Sequence, residues 1–69
     1  MEELKISLAA ARVNAGLTQD EVANQLGVSN KTVGNWEKGV VIPNSATVFM
    51  LSDLYKIPKD NIFLPEKST

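Results

Sequence analysis

The sequence contains no cysteine and no histidine in its 69 residues. Without cysteine there is no disulfide framework, no thiolate nucleophile and no Cys/His zinc site, and without histidine the usual general base of neutral pH is missing. These absences predict a chain that uses no metal and no cofactor. Aromatic residues are scarce, with one Trp, one Tyr and two Phe, so a platform of rings for stacking single-stranded bases is not expected. No stretch approaches the roughly eighteen consecutive apolar residues that cross a bilayer, and Met1-Glu2-Glu3 is acidic where a signal peptide is basic. The expectation is a soluble, cytoplasmic chain with no membrane partner. No repeat, low-complexity tract or linker divides residues 1–69, which therefore read as a single domain.

What is present is a hydrophobic fraction of 43%, enough for a core. A domain of this size buries only roughly 60% of its unfolded surface, which makes it marginal alone and favours a homodimer. The net charge of −1 argues against a nucleic-acid partner, whose phosphates call for cations. Distribution qualifies this. From Val22 to Ser52 the ionisable residues are Lys31, Glu37 and Lys38, while Glu2, Glu3, Asp20, Glu21, Asp53, Asp60 and Glu66 lie outside.

Gly16, Gly27, Gly39, Pro43, Pro58 and Pro65 cut the chain into helix-sized pieces. Leu4, Leu8, Ala11 and Ala15 recur at helical spacing, and Glu2 and Glu3 suit the positive end of a helix dipole, predicting a helix over about residues 2 to 14. Thr18 followed by Glu21 forms a capping box for a second helix, which Gly27 ends. Ser29 is a good N-cap for a third helix, with Val33 and Trp36 on one face and Lys38-Gly39 at its end. Val40-Val41-Ile42 reads as a buried connection. Asn44 caps a fourth helix that turns Val48, Leu51, Leu54 and Tyr55 inward until Ile57-Pro58 breaks it. Lys59 to Phe63 adds one last turn, and the polar tail 65–69 reads as disordered. The fold class is all-α, a bundle of four to five helices.

The second and third helices are separated only by Gly27-Val28, so they must cross steeply. Ala23 is the small residue such a crossing needs, Gly27 tolerates positive φ, and Val22, Leu26, Val28, Val33 and Trp36 supply a shared core. A helix-turn-helix over 18–38 satisfies every one of these restrictions. The chain here resembles the lambda-repressor-like helix-turn-helix family, also known as the Cro/repressor or XRE family. The resemblance is carried by Arg12-x-x-x-Gly16-Leu17-Thr18-Gln19-x-Glu21-Val22-Ala23, Leu26-Gly27-Val28-Ser29, Val33-x-x-Trp36-Glu37-x-Gly39 and Pro43, across about residues 4 to 63. It implies a bacterial or phage-encoded, nucleoid-associated transcription regulator, a Cro-like repressor that binds double-stranded DNA at a palindromic operator as a dimer.

Site residues follow from the motif. A recognition helix offers its N-terminal part to base edges in the major groove. With Val33 and Trp36 facing inward, the opposite face carries Asn30, Lys31, Gly34, Asn35 and Lys38. Asn suits adenine and Lys suits guanine. The resemblance places Asn30, Lys31 and Asn35 at base-reading positions and Gln19 at a backbone-anchoring one, while Thr32 suits a phosphate or a thymine methyl. Ser29 and Lys38 are further backbone contacts. Each has a plainer reading: a solvated polar face for Asn30, Lys31, Thr32 and Asn35, a capping-box position for Gln19, an N-cap for Ser29, and a dipole partner for Lys38. Gly34 costs a helix about 1 kcal/mol against alanine, which signals either close approach of DNA or nothing. The resemblance pairs Arg12 with Glu37 in a structural ion pair, with spare guanidinium donors toward DNA. Trp36 reads as core.

Phe49, Met50, Ile57, Ile62, Phe63 and Leu64 exceed what the fourth helix needs to bury, which predicts a dimer interface in the C-terminal region, with Met50 as an exposed contact. A protein-interaction module or antitoxin on the same scaffold is the competing function, disfavoured by the polar third helix. An enzyme is not expected. Asp20-Glu21 is explained by its place at a helix start.

Overall fold

Ser7, not the acidic N-terminus, starts the first helix. In the computed structural model, which describes residues 5–64, the Ser7 hydroxyl accepts from the Ala10 amide at 3.1 Å and caps α1 (Leu8–Asn14). The predicted start near residue 2 is thus corrected. Ile6–Ser7 is extended instead, forming β1, and no acid stands in the first turn of α1. Leu4, Glu2 and Glu3, and the tail 65–69, lie outside the described residues. The helix ends in a Schellman turn, with the Gly16 amide on the Val13 carbonyl at 2.9 Å and the Leu17 amide on the Arg12 carbonyl at 3.1 Å.

The next helices start at side-chain caps already legible in the sequence. Thr18 and Glu21 exchange both capping-box bonds at the head of α2 (Gln19–Leu26), which closes on Gly27 at φ 71°. Ser29 caps α3 (Asn30–Lys38), and Asn44 caps α4 (Ser45–Tyr55). Such caps are worth about 1 kcal/mol each, a large share of stability in a domain this small.

Lys59–Asn61 is a single 3-10 turn, and Ile62–Phe63 forms β2, which pairs in parallel with β1 in the register Ile6 to Ile62 and Ser7 to Phe63. The last predicted turn is therefore half turn and half strand. The pairing ties the two ends of the described chain together and buries Ile62.

Leu8, Ala11, Val22, Ala23, Val33, Trp36, Leu51, Tyr55 and Ile62 form one core, with Leu17, Leu26, Val28, Leu54 and Ile57 packed partly against it. Ala11 and Ala23 are small and buried, Ala11 on α1, which packs against α3 and α4, and Ala23 on α2, which packs against α3. The connection Val40-Val41-Ile42 is corrected from buried to largely exposed: Val40 and Val41 are 55% and 44% accessible, and Pro43 is the residue that turns inward. The reason lies in the cap of α3, whose Asn35 carbonyl takes the amides of both Val40 and Val41 and holds that segment on the outer end of the helix. Among the described residues no helix is long and apolar enough to cross a membrane.

Candidate nucleic-acid interface

The outer surface of α3 is two stripes rather than one. Positions 30, 34 and 37 share one side of the helix, and positions 31, 35 and 38 share the next, because residues three and four apart stack along a helix. The start of α2 lies along the first stripe. Asn30 Nδ2 donates to Asp20 Oδ1 at 2.5 Å, and Gln19 Nε2 donates to Glu37 Oε1 at 2.9 Å. Between them Gly34 is buried under the Gln19 amide, so a Cβ there would meet Gln19 Nε2 at 3.7 Å and Oε1 at 3.9 Å. The sequence-based placement of Gly34 on an open face is corrected accordingly. Its missing side chain faces α2.

Among the described residues no helix is laid over the second stripe. Lys31 and Lys38 are exposed and Asn35 is half-buried. Two ammonium groups and an amide along one side of a nine-residue helix make a cationic, hydrogen-bonding ridge. Thr32 lies toward the helix start, where its hydroxyl and that of Ser29 are 2.9 Å apart, while Ser29 Oγ accepts from the Thr32 amide at 3.1 Å. Ser29 and Thr32 thus satisfy each other at the end where the helix dipole is positive, an end suited to an anion.

Behind the ridge stands an ion pair. Arg12 Nε donates to Glu37 Oε2 at 2.7 Å, with Nη2 at 3.4 Å from Oε1, and Nη1 donates to the Leu17 carbonyl at 2.9 Å. The hydrogen bond to Glu37 holds the Arg12 pKa above its ordinary value, against a smaller opposing effect of burial. Tyr55 lies close by in the core, and burial, helped by the charge of Glu37, pushes its pKa up to about 12. The shared Glu37 carboxylate therefore joins α1, α2 and α3 and fixes the Gln19 amide. That fixation leaves the Gln19 carbonyl and one amide hydrogen for other partners.

The structure brings Gln19, Asn30 and Glu37 to the α2 side of α3, and Lys31, Asn35 and Lys38 to the open side. Sequence reasoning missed Asp20, which it explained by its helix-start position alone. The only signal for it was proximity to Asn30 across the turn, which needs the crossing of two helices to become visible. Among the described residues there is no group of three His, Cys, Asp or Glu side chains placed to hold a metal ion.

A family model described as helix-turn-helix matches residues 8–62. The chain is 38% identical over 53 residues to the HTH-type transcriptional regulator ImmR of Bacillus subtilis (strain 168), an alignment covering 77% of this chain and 42% of that protein. It is also 43% identical over 47 residues to the cryptic phage CTXphi transcriptional repressor RstR of Vibrio cholerae, covering 68% of this chain and 42% of that protein. The chain spans about two fifths of the length of these curated relatives.

Proposed function

Since the chain belongs to the helix-turn-helix family, of XRE type, we propose that it is a sequence-specific, double-stranded DNA-binding transcription regulator, a phage- or mobile-element-type repressor that takes a palindromic operator as a dimer. The observation that carries this reading is the open stripe of Lys31, Asn35 and Lys38 on α3, flanked by the α2 terminus that holds Gln19. Lys31 and Asn35 read base edges, with Asn30 and Thr32 beside them at the helix start, and Gln19, Ser29 and Lys38 bond the phosphate backbone. The names of the relatives, one a transcriptional regulator and the other a phage transcriptional repressor, support the same class.

Few cations on the reading head mean modest affinity per monomer, and a second copy restores it. The dimer seam is the outer side of α4 together with β2, where Phe49, Met50 and Phe63 are 68%, 50% and 51% exposed. Met50 lies between shallow depressions, one shared with Phe49 and Asp53, the other with Gln25, Leu26 and Leu54.

Selection of binding sites from random duplex tests the reading. Enrichment of a two-fold symmetric sequence supports it, and no enrichment together with no gel shift at low salt overturns it. The same exposed α4 face favours a second reading, a protein-interaction module or antitoxin domain, which predicts stable binding to another protein and indifference to duplex.

A further inference from the structure

We infer that Asp20 is a specificity-determining positioning residue, which holds the Asn30 amide so that it recognises adenine and rejects guanine. This rests on the DNA-reading function proposed above. An asparagine side chain offers two N–H donors and a carbonyl acceptor. In the major groove adenine presents N7 as acceptor and N6–H as donor, whereas guanine presents two acceptors, N7 and O6. A free asparagine can serve both, one with its donor and acceptor and the other with its two donors.

In this protein that choice is removed. A carboxylate only accepts, so the Asp20–Asn30 contact consumes one Nδ2 hydrogen and fixes which end of the amide is nitrogen. One donor and one acceptor remain, the complement of adenine. Guanine would meet the carbonyl of Asn30 with its own O6. Both residues are exposed, and Asp20 is anchored on the first turn of α2 while Asn30 opens α3, so the contact is made between two rigid helix ends beside the open stripe.

The test uses the operator obtained by selection and the intact chain. Asn30→Ala first identifies the base pair whose identity stops mattering. Duplexes carrying A·T or G·C at that pair are then titrated with the unaltered chain and with Asp20→Ala. The expected result is that Asp20→Ala lowers the preference for adenine over guanine at that pair by about tenfold, with preferences at the pairs read by Lys31 and Asn35 unchanged. A loss spread evenly over all pairs marks a merely structural residue and overturns the inference. So does an unchanged preference in Asp20→Ala, or an Asn30→Ala variant that relaxes no pair. Failure of the unaltered chain to bind any duplex overturns the function itself and this inference with it.

Discussion

Arg12 and Glu37, 25 residues apart in sequence, meet through Nε and Oε2 at 2.7 Å with side chains only 16% and 8% exposed. The pair ties the first helix to the end of the third, and Oε1 of the same carboxylate, which also lies 3.4 Å from Arg12 Nη2, takes the Gln19 amide of the second. A single side chain thus holds the three helices that set the reading geometry.

Removing one partner of such a pair leaves the other charge partly buried. Glu37→Ala is expected to cost about 3 kcal/mol, much of what a domain of this size has. Urea unfolding followed by the fluorescence of Trp36 measures it. An unchanged midpoint would show that the pair contributes nothing. Glu37→Gln, which keeps an acceptor for Gln19, should lie between the two.

Gly34 separates packing from DNA contact. The nearest atoms a Cβ would meet are those of the Gln19 amide, at ordinary contact distance, and the helix interior gains from alanine. Gly34→Ala should therefore stabilise the protein by up to about 1 kcal/mol and leave operator affinity unaltered. A raised unfolding midpoint with binding weakened tenfold would instead mean that the backbone at 34 lies against the duplex.

These positions show what the sequence could and could not disclose. The caps at Thr18, Ser29 and Asn44 are local devices in which a side chain bonds an amide three residues on, so their residue types announce them. The apolar stripe of α3 is likewise local, and Val33 and Trp36 are buried as their spacing requires. The two-residue β1–β2 pairing joins residues 56 apart, and nothing in Ile6-Ser7 distinguishes it from the start of a helix. Periodicity sees one helix at a time and puts Gly34 on the open face, whereas α2 covers that side of α3. The Asp20–Asn30 contact is hidden from the sequence for the same reason. The Val40–Val41 segment reads as buried from its composition, but its amides are bound to the Asn35 carbonyl at the helix end, which keeps it outside.

On the open stripe, Lys31→Ala and Asn35→Ala should each weaken operator binding by about 1 to 3 kcal/mol and relax selectivity at one base pair, with the melting temperature little changed. Lys38→Ala should weaken all duplexes alike and reduce the salt slope by about one counterion. Unaltered selectivity in both of the first two variants would remove the stripe as the reading surface.

The proposed dimer seam depends on an aromatic ring left 68% exposed. Phe49→Asp places a charge there without touching the core, so folding should persist while self-association is lost. Sedimentation equilibrium at several concentrations distinguishes the outcomes. A dimer in the unaltered chain and a monomer in the variant is the expected pair of results; two monomers, or two dimers of equal strength, would place the seam elsewhere or nowhere.

Tyr55 gives the protein an alkaline weakness. Burial chiefly, and the charge of Glu37 next, favour its neutral form in the folded state and push its pKa up to about 12 from an ordinary 10.0, with Arg12 opposing. Below pH 10 the hydroxyl is protonated folded or unfolded, and its contribution is complete. Between about pH 10 and 12 the unfolded chain releases that proton and the folded one retains it, so stability falls as pH rises, by a total on the order of 2 to 3 kcal/mol. The quantity to measure is the difference between the unaltered chain and Tyr55→Phe, in which this part of the loss should vanish. As the chain has a single tyrosine, tyrosinate absorbance reports the group directly. A titration centred at the ordinary value while the protein is still folded would show that the hydroxyl is in contact with water, and that the core around Tyr55 is more open than its 3% exposure describes.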